Sequence, residues 1–217
     1  MAFEHGDSSF ALLSAEELDA WRKIPPAVAS DCMNRNQVMK AAIKAVSNST
    51  TLCGQARTVT TMVGDCGPIC ALIAAARPGE IIVVDAGGVE DTAVWGGMMT
   101  EEAVHRGLGG AVIDGAIRDL ADLRQTNFTM FCRSVVPRGP HHGFGGTIDA
   151  PAAVAGVSVR PGDVILGNED GVVVVPLERA PEVLKAAQAH VAKEAAWLGT
   201  IRSGGTILDE FVTAAAK

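Results

Sequence analysis

Two short apolar runs, Ile81-Ile-Val-Val84 and Gly109-Gly-Ala-Val-Ile113, each lead directly into an aspartate, Asp85 and Asp114. Runs of this length, rich in β-branched side chains and without helical periodicity, read as buried strands. Helical patterns stand between and around them, so the chain is constrained to an α/β core. In such cores ligands bind beyond the carboxyl ends of the strands. The segment Asp114-Gly-Ala-Ile-Arg-Asp119 falls there and places two acids and one arginine within six residues. An arginine fork suits a carboxylate or a developing enolate, and an ionised aspartate suits a divalent metal. A solvated turn with an ordinary Arg/Asp pair is the competing reading, because Asp and Gly are common in loops.

The surrounding pattern supports the same class. Ser14-Ala-Glu-Glu17 forms a capping box that opens a short helix through Trp21, and Pro25-Pro26 stops it before a second helix near Ala27. Leu52 to Val63 reads as a strand and Ile69 to Ala76 as the helix after it. A helix over Met98 to Arg106 precedes the Gly109–Ile113 strand, and another strand is expected over Met130–Val136. Val164-Ile-Leu166, the turn Asn168-Glu-Asp-Gly171 and Val172-Val-Val-Val175 predict a β-hairpin. A helix from Arg179 to Leu198 follows, then a Gly204-Gly205 break and a short terminal helix. We therefore expect one domain over residues 1–217, with residues 1–26 as a helical extension and 179–217 as a helical C-terminal segment.

Composition excludes several functions. The formal charge of −7 and the lack of any Lys/Arg-rich run argue against nucleic acid as a partner. No stretch reaches the ~20 apolar residues of a membrane span, and the start lacks the features of a signal peptide, so a cytoplasmic protein is expected. Five cysteines without paired CxxC spacing predict reduced, buried thiols rather than a disulfide framework or zinc ribbon. There is no GxSxG, Walker A or Rossmann glycine motif.

Three further segments carry chemical potential. Gly96 and Gly97 immediately precede the Met98 helix, where unshielded amides can seat a carboxylate; a tight turn against the sheet is the alternative. Glu194 falls within the helical stripe Val183, Ala187, Val191, Leu198, where an acid must snorkel or meet a cation, a metal or another subunit. His141-His142, within a glycine-rich loop, suits a surface or substrate-loop role better than a metal site, since neighbouring side chains rarely converge.

The ordered set Ala27-Val-Ala-Ser-Asp31, Arg77-Pro-Gly-Glu80, Trp95-Gly96, Asp114-Gly-Ala-Ile-Arg-Asp119, Pro161-Gly-Asp163 and Asp170-Gly171 through Pro176 resembles the RraA-like superfamily. That superfamily includes the 4-hydroxy-4-methyl-2-oxoglutarate and 4-carboxy-4-hydroxy-2-oxoadipate aldolases. The resemblance implies a swivelling α/β/β sandwich that assembles as a homotrimer or homohexamer with sites between subunits. It further implies that Asp119 holds Mg²⁺ or Mn²⁺ and that Arg118 binds a small 2-oxo acid and stabilises the pyruvate enolate. By the same resemblance the amides of Gly97, Met98 and Met99, after Trp95-Gly96, hold the pyruvyl carboxylate, and Glu194 matches an acid that reaches a neighbouring site. The aldolases carry an aspartate twenty-one positions before the arginine to order water for proton transfer, and here that position is Gly97. Glu101, one helical turn onward, is the expected compensation.

These residues imply a divalent-metal-dependent carbon–carbon lyase, an aldolase or oxaloacetate decarboxylase acting through a pyruvate enolate. Two alternatives stand beside it. One is a non-catalytic regulator that binds an endoribonuclease, although that branch of the superfamily generally lacks the Arg-Asp pair. The other is a related metal enzyme whose chemistry is altered by Gly97.

Overall fold

The computed structural model describes residues 3–208. Its elements follow in the order β1 (Phe3–His5), α1 (Ala15–Trp21), α2 (Pro26–Cys32), β2 (Lys44–Ala45), β3 (Leu52–Thr61), α3 (Gly67–Ala75), β4 (Ile81–Asp85), β5 (Ala93–Trp95), α4 (Gly97–His105), β6 (Gly110–Ile117), α5 (Leu120–Leu123), β7 (Met130–Val135), β8 (Gly146–Ile148), β9 (Ala152–Val154), β10 (Val157–Val159), β11 (Val164–Asn168), β12 (Gly171–Val175) and α6 (Ala180–Arg202).

Strands β3, β4, β6 and β7 lie side by side and parallel, joined by crossovers that carry α3, α4 and α5. β8 runs antiparallel against β3, with β1 beyond it, and β2 runs antiparallel against β7. β3 is long enough to serve two sheets. Its first residues, Leu52–Gln55, pair antiparallel with β11, whereas Ala56–Thr60 pair parallel with β4. The chain thereby passes from one β layer to the next without a loop.

The two-residue period of the strands divides the apolar side chains between layers. Ile82, Val84, Ala111 and Ile113 face α3 and α4, meeting Ile69, Leu72, Ile73 and Ala103. Ile81, Val83 and Val112 face the opposite way, onto Ile165 and Val174 of the hairpin and Val154 and Val159 of β9 and β10. The hairpin's other face, Val164, Leu166, Val173 and Val175, is covered by Trp21, Val28, Val183 and Ala187 from α1, α2 and α6. Each fully buried Val or Ile side chain contributes about 1.5–3 kcal/mol. The continuous apolar runs of β4 and β6 follow from burial on both faces.

The capping box is present as expected, with the Glu17 N–H donating to Ser14 Oγ at 3.2 Å and the Ser14 N–H to Glu17 Oε2 at 2.7 Å. The β11–β12 hairpin closes with Asn168 opposite Gly171. Other boundaries differ. β6 does not end at Ile113 but continues through Asp114 to Ile117, with an irregular register between Ile113 and Ala116. An acid is tolerated inside this buried strand because its partners satisfy it. Asp114 pairs with Arg133 and accepts the Ala155 N–H at 2.6 Å. The first 26 residues contain β1 as well as α1 and the opening of α2, and the strand pairs with β8. The β9–β10 hairpin gives no sequence signal because each strand has three residues. The short helix expected after Gly204-Gly205 lies mostly outside the described residues.

Candidate functional site

The site forms where β5 and β6 end and α4 begins. Trp95 is buried, stacks on Phe128 with ring centroids 5.9 Å apart, and donates from Nε1 to Thr100 Oγ1 at 2.9 Å. Thr100 Oγ1 in turn donates to the Gly96 carbonyl at 3.2 Å. The approach to α4 is thus held by its own first turn. The Arg118 N–H donates to the Trp95 carbonyl at 2.9 Å, so the residues after β6 are fixed against the residues before α4.

Asp119 then adopts φ 60° and ψ 41°, a left-handed conformation that few residues other than glycine, asparagine and aspartate accept. This turn aims its carboxylate at the start of α4. Asp119 Oδ2 accepts the Gly97 N–H at 2.9 Å and lies 3.5 Å from Arg118 Nε. Oδ1 has no hydrogen bond or ion pair among the described residues. Both side chains keep about 40% of their surface in solvent. Met98 and Met99 follow on a helix with no side-chain cap, so their amides remain open to an anion.

Gly96 is required by close approach. A Cβ there would lie 2.8 Å from Asp119 Oδ2 and 3.1 Å from Arg118 Nε. Gly96→Ala is expected to displace both groups and to lower catalytic efficiency about 100-fold. The melting temperature should change by less than about 3 °C, which steady-state kinetics beside a thermal melt would establish. Gly139 approaches the same arginine closely, since a Cβ there would sit 2.5 Å from Arg118 Nη1.

These groups line a cleft of about 290 Å³ together with Cys66, Cys70, Met98, Met99, Pro140 and His142. Its outer wall is the 137–146 segment, held by Asp65. That buried carboxylate accepts the N–H groups of Gly67 at 2.7 Å, Phe144 at 2.6 Å and Gly145 at 2.9 Å. Burial alone raises the Asp65 pKa, but the hydrogen bonds from Gly67, Gly145, Phe144 and Gly143 together outweigh it and leave the pKa below its ordinary 3.8. The stabilisation therefore holds above the ordinary carboxylate pKa and is lost as pH falls through the lowered value. Asp65→Ala is expected to raise KM about tenfold and to speed amide hydrogen exchange at residues 143–145, because buried donors lose their acceptor.

The structure brings Gly96, Gly97, Met98, Met99, Arg118 and Asp119 into one cleft. Glu101 is exposed on α4 and does not line the cleft. Glu194 lies 3.4 Å from His190 along α6, half-exposed and outside the cleft wall of this chain. Asp114 belongs to the sheet rather than to the site. His142 faces the cleft, whereas the His141 ring meets Phe144 edge-on and its backbone joins Gly64 and Cys66.

Sequence reasoning missed two residues of the cleft lining and one carboxylate beside it. Asp122 Oδ2 lies 3.5 Å from where a Cβ at Gly97 would stand, as near as Asp119 Oδ2. Its spacing of three from Asp119 was the available signal. The others are Cys66 and Cys70, expected simply as core thiols. Only Cys132 of the five is fully buried.

For a divalent cation, Asp119 offers one hard oxygen ligand, and no cluster of three or more candidate ligands occurs among the described residues. This fits Mg²⁺ or Mn²⁺ held through a carboxylate and several waters rather than in an all-protein cage.

An arginine, an aspartate with one unengaged oxygen and uncapped helix amides thus stand together beyond the parallel strands of an α/β layer. Residues 26–174 match the RraA-like family model described as Aldolase/RraA, and the chain belongs to that family. A relative from Halalkalibacterium halodurans, named provisionally as a 4-hydroxy-4-methyl-2-oxoglutarate aldolase, is 34% identical over 187 residues, 85% of this chain and 89% of that protein. The 4-hydroxy-4-methyl-2-oxoglutarate aldolase of Thermus thermophilus is 35% identical over 98 residues, 45% of this chain and 60% of its own. Among solved structures, an uncharacterised protein from Pseudomonas syringae pv. tomato superposes with a TM-score of 0.82 at 26% identity, covering 94% of this chain and 97% of that one. The RNA-processing inhibitor RraA from Thermus gives 0.66 at 27% identity, covering 71% and 93%. The fold is accordingly that of the RraA structures, and no helix of the described residues is long and apolar enough to cross a membrane.

Proposed function

We propose that the protein is a cytoplasmic, divalent-metal-dependent lyase that cleaves a small 2-oxo acid through a pyruvate enolate, by aldol cleavage or decarboxylation. The observation that carries this reading is the Arg118–Asp119 pair held against the open N-terminus of α4. Asp119 would hold Mg²⁺ or Mn²⁺, which when bound supplies a Lewis acid for the 2-oxo group. The Met98 and Met99 amides receive the substrate carboxylate, and the helix dipole favours its charge. The Arg118 fork meets the 2-oxo oxygen, where negative charge grows as the C3–C4 bond breaks. In aldol cleavage the C4 hydroxyl loses its proton, the bond's electron pair passes to the enolate, and C3 then takes up a proton. With Asp119 given to the metal, Asp122, whose Oδ2 lies 3.5 Å from where a Cβ at Gly97 would stand, is the carboxylate that would hold the water carrying this proton.

The enzyme would act as a homotrimer or homohexamer, with Glu194 serving the cleft of a second copy. From Val191 to Arg202 no residue of α6 is buried, and Leu198 and Ile201 are exposed, which leaves this half of the helix available to another chain.

The test is pyruvate release from 4-hydroxy-2-oxo acids and oxaloacetate with Mg²⁺ or Mn²⁺. Absence of release from all of them, with no rise in melting temperature on adding metal and pyruvate, would refute the lyase. Binding to a purified endoribonuclease with inhibition of RNA cleavage would then support the second reading, suggested by similarity to the RNA-processing inhibitor RraA.

A further inference from the structure

The wall facing Arg118 shows what the far end of a substrate would meet. Arg118 is the only arginine or lysine lining the cleft among the described residues, and it is committed to the 2-oxo acid end. The other side chains of the lining beside Asp119 are Cys66, Cys70, Met98, Met99 and Pro140, with His142 the one imidazole. On the other flank of the Arg118–Asp119 pair the chain presents Val135, Val136 and Pro137. Soft, apolar surface therefore borders the reacting end on both sides.

The thiols reinforce this chemistry. Burial raises the pKa of Cys66, and it raises that of Cys70 to about 11, so both remain uncharged in neutral solution. Negative charge also stands near them: Asp65 raises the pKa of Cys66 and Glu102 that of Cys70, while the one cation acting on Cys66 is Arg118, which the 2-oxo acid end already engages. Buried Asp65 is fully occupied by backbone donors and offers no hydrogen to a ligand.

We infer that for aldol cleavage this cleft selects 4-hydroxy-2-oxo acids whose distal end is small and uncharged, and discriminates against those with a second carboxylate, such as the substrate named for the relatives. The inference rests on the lyase reading and adds the substrate class. A second carboxylate would lose water on entering and gain no cation, whereas an alkyl group would cover the methionine and cysteine wall. Discrimination arises as much from the negative groups behind the wall as from the fit of the alkyl end.

The experiment compares 4-hydroxy-2-oxopentanoate, which has a methyl end, with 4-hydroxy-4-methyl-2-oxoglutarate, which has a carboxylate end, on the full chain with Mg²⁺ or Mn²⁺. We expect kcat/KM for the methyl-ended compound to be higher by at least about tenfold, equivalent to ~1.4 kcal/mol. His142→Arg adds a fixed cation on an exposed loop and should narrow or reverse the ratio. Thermal shifts with pyruvate and with 2-oxoglutarate give a binding readout without turnover, and pyruvate should stabilise more. Equal or better turnover of the dicarboxylate by the unaltered protein overturns this inference alone. If neither compound yields pyruvate and neither ligand raises the melting temperature, the lyase reading falls and the substrate class with it.

Discussion

Arg118→Ala is expected to lower kcat for pyruvate release by about 10²–10³-fold, the usual cost of removing a donor that meets developing negative charge. Substrate binding should suffer less, because in the proposed binding mode the Met98 and Met99 amides, at an α4 N-terminus with no side-chain cap, would hold the carboxylate independently of the guanidinium. A fall in kcat that exceeds the rise in KM therefore identifies Arg118 as a group that acts in the transition state. Arg118→Lys should recover little, since an ammonium has one centre of charge and lacks the planar fork. Stability offers the necessary control. The Arg118 side chain is 43% exposed and its contact with Asp119 is 3.5 Å, so its loss should move the melting temperature by no more than about 3 °C. Asp119→Ala should show a different signature, with activity that no longer responds to Mn²⁺ concentration. Retention of more than about one third of kcat in Arg118→Ala would contradict the assigned role.

The sequence made the parallel core and the arginine–aspartate pair legible for one reason. Short apolar runs mark strands buried on both faces, and charged residues just beyond them mark strand ends. Thus β4 begins where β-branched composition places it, β12 begins one residue earlier, at Gly171, and α1 begins at its capping box. The same rule failed at β6, because it reads a charge as a strand end. Asp114 stays within the strand because Arg133 and the Ala155 amide satisfy it, and both come from elsewhere in the chain. Long-range partners leave no local signal. The cleft wall was illegible on the same ground. Cys66 and Cys70 look like core thiols in isolation, and their neighbourhood to His142 and Pro140 depends on Asp65 fastening a segment almost eighty residues away. Asp122 was hidden by the unexpected turn at Asp119, whose left-handed backbone brings the start of α5 back toward Gly97.

The largest stability effect is expected at Arg57. Its side chain lies buried on β3, donates from Nε and Nη2 to the two Asp149 oxygens at 2.7 Å each, and donates from Nη1 to Glu80 Oε2 at 2.9 Å. The hydrogen bond with Asp149 raises the Arg57 pKa despite burial, so the guanidinium remains charged at any pH the fold survives. Glu80 also accepts the Arg77 N–H at 2.6 Å, while its Oε1 is buried without a hydrogen bond among the described residues. Arg57→Ala would leave buried Asp149 without a cation and buried Glu80 with only the half-exposed Arg77, whose Nη1 lies 4.0 Å from Glu80 Oε1. Breaking such a group by removing one partner costs about 3–5 kcal/mol, which for a chain of this size lowers the melting temperature by roughly 6–20 °C. Replacing Arg57, Asp149 and Glu80 together by apolar residues of similar volume should recover most of that loss, because the cost lies in the orphaned charges. If the single and triple variants melt together, packing rather than charge explains the effect. The position also links stability to the cleft. Asp149 immediately follows β8, and β8 begins at Gly146 where the cleft's outer segment ends. Arg57 thus fixes one end of a segment that Asp65 and the backbone of Met62, Gly64, Cys66 and Ala93 hold elsewhere. In Arg57→Ala, a KM that rises at temperatures well below the melt, with kcat preserved, would reveal that the same buried cation that holds the sheets also sets the cleft wall.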